Sequence, residues 1–156
     1  KFISMQNHYN LVYREEEREM NPYCSFTGVG VIPWSPLARG FLTGKRASTF
    51  AEEKTTANSS LRAKTDKISE GLYYSPEDHE IADRVCQLSE DMKVKPAQVA
   101  LSWLLHKSVV SAPIIGASKI YQLEEAIEAI KIQLTKEQIN FLEEKYKPHK
   151  VLGNLS

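Results

Sequence analysis

Cysteine is scarce in this chain of 156 residues: Cys24 and Cys86 are the only two, and they lie in helical patterns without motif spacing. That excludes a disulfide framework and a thiolate metal site, and both read as buried free thiols in a reducing compartment. An excess of charge of either sign is also missing, because Lys plus Arg and Asp plus Glu both number 20. No basic footprint for nucleic acid follows from such a balance. No apolar run approaches the ~20 residues of a membrane span, and nothing reads as a signal peptide. The four histidines, His8, His79, His106 and His149, have no partners at metal or triad spacing, so they read as structural or surface residues. Internal repeats and low-complexity tracts are absent.

What is present is ordinary for a globular chain, with 42% hydrophobic and 26% charged residues and enough length for one domain with a real core. The chain opens on Lys1 and runs at once into apolar Phe2, Ile3 and Met5, which reads as an N-terminus cut inside a longer protein. Phe2 to Asn7 is a candidate strand, and the charged stretch Arg14 to Glu19 reads as helix. Pro22 either kinks that helix or opens a second one capped by Asn21. Gly28 and Gly30 end it, and Val29, Val31, Ile32 and Trp34 form a near-continuous apolar strand of the kind buried on both faces in parallel sheets. The long polar stretch from Ser35 to Tyr74 is of a length more often functional than accidental. Ser75-Pro76-Glu77-Asp78 supplies an N-cap, an N1 proline and an acidic first turn, followed by Ile81, Val85, Leu88 and Met92 at helical spacing. A further helix starts near Pro96 and carries Val99, Ala100, Trp103 and Leu104. Ala112 to Ile115 reads as a short strand, Ser118 as the cap of a helix bearing Leu123, Ile127 and Ile130, and Thr135 with Gln138 as a capping box. The order is β-α-β-(long loop)-α-α-β-α-α, which predicts parallel strands with right-handed crossovers. A doubly wound sheet and a piece of a (β/α)8 barrel both fit it.

Three segments choose between them. The first is Gln6-Asn7-His8-Tyr9-Asn10. The second is Gly28-Val29-Gly30-Val31-Ile32-Pro33-Trp34-Ser35-Pro36-Leu37-Ala38-Arg39-Gly40, with Leu42, Gly44 and Lys45 beyond it. The third is Pro113-Ile114-Ile115-Gly116-Ala117-Ser118, with Gln122, Leu123 and Glu125 on the next helix. In this order and spacing they resemble strands six, seven and eight of the aldo-keto reductase barrel, over essentially the whole chain, 1–156. The resemblance implies an α/β fold: the last three βα units of a TIM barrel, a long loop and C-terminal helices, in a cytoplasmic NADP-dependent oxidoreductase whose N-terminal half is missing. It implies NADP(H) as cofactor and a small carbonyl or alcohol as substrate, with no nucleic-acid or membrane partner and no metal. Chemistry in such barrels lies at the C-terminal ends of the strands, with phosphate often held by the loops after strands seven and eight. By resemblance, Gln6 bonds the nicotinamide carboxamide and Trp34 stacks on its ring. Ser35, Pro36, Leu37, Ala38, Arg39 and Gly40 offer backbone N–H groups to the pyrophosphate, and Lys45 joins them. Gly116 and Ser118 lead to a helix N-terminus that favours an anion, with Lys119 adding positive charge for a 2′-phosphate. Gln122 and Glu125 resemble the adenosine contacts.

Each of these residues also has a plainer reading. Trp34 serves equally as core, Ser118 as an N-cap that needs no ligand, Glu125 as an exposed helix charge, and Arg39 and Lys45 as solvated loop charges. Two departures from the family's pattern matter. Ala126 stands where the family usually has an Asn that contacts adenine. The family's catalytic Asp, Tyr, Lys and His lie on its first four strands, so no catalytic residue maps onto this chain, which alone is expected to be inactive. The run Leu142-Glu143-Glu144-Lys145-Tyr146-Lys147-Pro148 is similar to fungal aryl-alcohol dehydrogenase-like members, which suggests aromatic aldehydes. Two other readings are a nucleotide-sensing module like the potassium-channel beta subunits, which share Trp-Ser-Pro-Leu-Ala, and a non-functional truncated remnant.

Overall fold

A computed structural model describes residues 1–44, 73 and 75–149. Two short strands, β1 (Ser4–Met5) and β2 (Gly30–Val31), pair in parallel with Ser4 opposite Gly30 and Met5 opposite Val31. The hydrogen-bond ladder runs further than the strands. The N–H groups of Gly30, Ile32 and Trp34 donate to the carbonyls of Ile3, Met5 and Asn7 at 3.0, 2.9 and 2.9 Å. His8 and Trp34 then form one more parallel bridge. A third extended segment lies on the other side of β2, where Val31 and Val110 form a parallel bridge. Ile114 N–H donates to the Pro33 carbonyl at 2.8 Å.

The third strand thus pairs earlier than the expected Ala112–Ile115, and no regular strand is assigned there. Pro33 and Pro113 explain it. Neither has an N–H, so the ladder between these segments is interrupted where the two prolines come level. Close approach also marks the seam, since a Cβ on Gly30 would lie 2.3 Å from Ser111 Oγ.

Between the strands, the expected helix at Arg14 to Glu19 is only a 3₁₀ turn at Glu15–Glu17. Helix α1 (Met20–Thr27) follows, with Glu19 and not Asn21 at its N-cap. Asn21 is drawn inward instead, where its side-chain oxygen accepts from Asn7 Nδ2 at 3.1 Å. Pro22 is tolerated because it falls in the first turn, whose N–H groups have no intrahelical partner. Gly28 ends α1 in the left-handed conformation at φ 69°.

The remaining helices are α2 (Pro76–Met92), α3 (Pro96–Leu105), α4 (Ile120–Glu128) and α5 (Lys136–Glu143). Ser75 and Asp78 form the expected capping box of α2, and Thr135 and Gln138 that of α5. Helix α4 starts one residue later than expected, with Lys119 at its N-cap, because Gln122 reaches back and closes the turn in place of Ser118. Helix α2 packs on α3 and α5. Ile81, Val85, Val99, Trp103, Leu104 and Leu142 there close over Tyr9, Leu11 and Val12, which follow β1, and over Phe41 and Leu42. Burying such aliphatic and aromatic side chains contributes about 1.5–3 kcal/mol each. Cys24 is buried as expected, while Cys86 is only half-buried; both are free thiols. No described helix is long and apolar enough to cross a membrane.

Candidate active site and its relatives

The parallel ladder brings Gln6, Trp34 and Gly116 to the same end of the sheet. Gln6 directly follows β1 and is exposed. Trp34 is 36% exposed and turns one face of its indole to solvent. Its other face stacks on His8, with ring centroids 4.1 Å apart and planes 13° from parallel. His8 in turn stacks on Tyr13 at 4.1 Å and 14°. The result is a pile of three rings whose outermost face is open.

Polar groups lock the middle ring. His8 Nε2 lies 2.6 Å from the Tyr73 hydroxyl and 3.4 Å from Asn10 Nδ2. An amide N–H and a hydroxyl converging on Nε2 make that nitrogen the acceptor and leave the ring proton on Nδ1. The Tyr73 hydroxyl also lies 3.3 Å from Ser35 Oγ and receives Asn10 Nδ2 at 3.3 Å. Asn10 is itself fixed, its Oδ1 accepting from the N–H groups of Val12 and Tyr13 at 3.0 and 2.9 Å. Burial, and then the nearby His149 and Arg39, lower the His8 pKa to about 4, so the ring is neutral at neutral pH. Burial raises the Tyr73 pKa against the opposing pull of its bonds to Ser35 and Asn10.

After Trp34 the backbone is strained. Ser35, Ala38 and Arg39 have φ of 54°, 48° and 55°, a region costly for residues with a Cβ. Such strain clusters at ligand clamps. Gly40 continues the turn at φ 93°, which glycine alone takes without cost. Several N–H groups of this turn are engaged internally. Ala38 and Gly40 donate to the carbonyls of Ser35 and Leu37, both at 2.9 Å, and Arg39 donates to Ser35 Oγ at 3.2 Å. Pro36 and Ala38 are buried, and Leu37 packs against the core, so three of these side chains shape the turn from within. Lys45 lies outside the described residues.

On the third segment, a Cβ on Gly116 would meet nothing within 4 Å, and its φ is not left-handed. Neither the backbone nor this chain's own atoms require glycine at that position. At the start of α4, Gln122 Oε1 accepts from Ser118 N–H at 2.9 Å, Ser118 Oγ at 3.2 Å and Lys119 N–H at 3.2 Å. A neutral amide oxygen therefore sits where the helix terminus favours an anion. Glu125 is half-buried, and its carbonyl accepts from Gln98 Nε2 at 3.1 Å.

The sequence pattern points to Trp34, Ser35 and Gln6 but leaves His8 as structural or surface, and it misses Asn10, Tyr13 and Tyr73. One signal was available. In a parallel pair, residues in register put their side chains on one face, and His8 follows Gln6 by the two residues of a strand period. No group of three or more His, Cys, Asp or Glu able to hold a metal occurs among the described residues.

The profile of the Aldo/keto reductase family matches residues 1–147. The chain belongs to the aldo/keto reductase family. A Schizosaccharomyces pombe protein named as an aryl-alcohol dehydrogenase is 46% identical over 155 residues, covering 99% of this chain and 41% of its own length. The versiconal hemiacetal acetate reductase of Aspergillus parasiticus is 43% identical over 150 residues, or 95% of this chain and 41% of that protein. This aldo/keto reductase chain thus spans about two fifths of the curated relatives it matches. A thermostable aldo-keto reductase solved with the inhibitor epalrestat superimposes with a TM-score of 0.64 at 21% identity, covering 93% of this chain and 40% of that one, a likeness of fold.

Proposed function

We propose that this chain supplies strands six to eight, and with them part of the NADP(H) site, of a cytoplasmic oxidoreductase that reduces aldehydes or ketones to alcohols. The observation that carries it is the open indole face of Trp34 at the C-terminal end of β2, with Gln6 at the end of the adjacent β1. A flat, half-exposed ring braced from behind suits a nicotinamide, and an exposed amide beside it suits the carboxamide. Gly116 supports the fit: the space a Cβ would fill is open for a ligand to approach the backbone. The strained turn from Ser35 to Gly40 lies next to Trp34, where the linked phosphates would run.

When bound, NADPH supplies the hydride that reduces the carbonyl carbon. Within this chain, Trp34 would orient the ring and Gln6 would fix its rotation. Ser118, Lys119 and Gln122 would hold the adenosine end, with Gln122 Oε1 giving up the N–H groups of residues 118 and 119 to a phosphate. The family's general acid has no counterpart here, so the chain by itself is inactive in this reading. Aromatic aldehydes are the substrate class suggested by the relative named as an aryl-alcohol dehydrogenase.

Titrating the chain with NADP⁺ by calorimetry tests the reading. Binding that weakens at least tenfold in Trp34→Ala supports it. Binding unaffected by that change, or no binding, removes it.

A further inference from the structure

We infer that His8 is the positioning residue for Trp34: clamped between Tyr13 and the indole, its ring sets the plane in which Trp34 presents its open face. The part of this that concerns a ligand rests on the cofactor reading above; the part that concerns Trp34 does not.

The backbone sets the two rings side by side. His8 and Trp34 form a parallel bridge, and Trp34 N–H donates to the Asn7 carbonyl at 2.9 Å, so the two side chains leave adjacent strands at one level. Side by side on one face, flat rings can stack, and these do at 4.1 Å with planes 13° apart. His8 itself is held from three directions. Tyr13 covers its far face, and Tyr73 and Asn10 converge on its edge. A ring stacked on one face, backed on the other and bonded at its edge has no freedom left to rotate. Trp34, by contrast, has solvent on its outer face, and its plane is defined from the inner side. The groups facing His8 are the Tyr13 and Tyr73 phenols, the Trp34 indole and the Asn10 amide, with Arg39 and His149 nearby. No carboxylate is among the causes that move its titration, so nothing there draws it into the charged form.

The plate and the edge bond can be separated. His8→Phe keeps a flat ring between Tyr13 and Trp34 and loses the bond to Tyr73. His8→Gln keeps a polar group able to reach Tyr73 and loses the plate. The chain contains two tryptophans, so labelling with 5-fluorotryptophan yields two fluorine resonances, assigned with Trp34→Phe. The Trp103 resonance reports the fold, because that ring is wholly buried in the core.

In His8→Phe we expect the Trp34 line to stay as narrow as in the unmodified chain. In His8→Gln we expect it to shift and broaden while the Trp103 line stays in place. A Trp34 line unchanged in His8→Gln overturns the inference, as does one broadened equally in His8→Phe. Should His8→Gln lose the Trp103 line and so unfold, His8→Phe alone decides by the same criterion. Adding NADP⁺ to each folded variant separates the two readings. A shifted Trp34 line in the unmodified chain and in His8→Phe, with affinity about three- to tenfold weaker in His8→Gln, extends the role of His8 to the ligand. No shift in the unmodified chain overturns Trp34 as the cofactor's seat, while the line widths still decide whether His8 sets the indole plane.

Discussion

His8 enters the fold uncharged, with a pKa of about 4 in place of 6.5. Its folded value is depressed, so the unfolded chain binds the proton first and stability falls as pH drops from 6.5 towards 4. At about 1.4 kcal/mol per pH unit, the loss attributable to this one ring is on the order of 3 kcal/mol. His79, also lowered by burial, acts in the same direction, so the useful quantity is a difference between variants. Urea midpoints followed from pH 7 to pH 4 should fall less steeply in His8→Phe than in the unmodified chain, and parallel curves would contradict the assignment. Lys119 invites a second measurement at this scale. Its N–H already meets Gln122 Oε1 at the start of α4. Lys119→Ala should weaken NADP⁺ binding up to about tenfold and leave NAD⁺ binding unchanged. Equal losses for both cofactors would place Lys119 away from the 2′-phosphate.

Among the elements, α5 binds the C-terminal stretch to the rest through Glu143. Its carboxylate receives Trp103 Nε1 at 2.7 Å, Lys107 Nζ at 2.6 Å and Arg14 Nη2 at 3.1 Å. Removing it leaves a nearly buried Arg14 with one partner fewer and an indole N–H with none. Glu143→Ala should therefore cost about 3 kcal/mol in urea unfolding, close to the ~2–5 kcal/mol expected for Leu142→Ala beside it. A loss below 1 kcal/mol would show that solvent replaces these bonds. Beyond α5, His149 Nε2 bonds Oδ2 of the buried Asp78 of α2 at 3.1 Å, and that hydrogen bond raises the His149 pKa. Here the sign is opposite to that of His8. The contribution is complete below pH 6.5 and disappears as pH rises through the higher folded value.

The same elements show what the residues alone could disclose. Capping boxes at Ser75 and Thr135 are local chemistry, four residues long, and they stood in the sequence as they stand in the fold. The parallel order followed from strands alternating with helices. The alternative cap at Asn21 and the cap at Ser118 did not hold: Asn21 answers to Asn7, a partner fourteen residues away that local preference does not reveal, and Ser118 is displaced by the side chain of Gln122. The three-ring pile joins residues 8, 13 and 34, and no periodicity within one segment announces a contact between strands.

On the scale of the whole molecule, several large apolar side chains of the described residues lie open to solvent. Phe2, Ile3 and Phe26, around β1 and α1, are 88, 85 and 90% exposed, and Ile120 and Ile130, at the start of α4 and just beyond its end, are 78 and 65% exposed. Exposed apolar side chains of this kind favour association in water. Sedimentation of the purified chain should show self-association that weakens in Ile3→Lys with Phe26→Lys; a monomer at all concentrations would contradict it. Elsewhere, the sheet closes on an atom that is not there. With 2.3 Å from a would-be Gly30 Cβ to Ser111 Oγ, positions 30 and 111 form a lock with two keys. A library randomised at both should return glycine at 30 with many residues at 111, and alanine at 30 mostly with glycine or alanine at 111, since the Ser111 Cβ itself would lie at 3.3 Å. Evolution at these sites would then proceed in pairs, with the order of the two changes prescribed: the smaller side chain must come first.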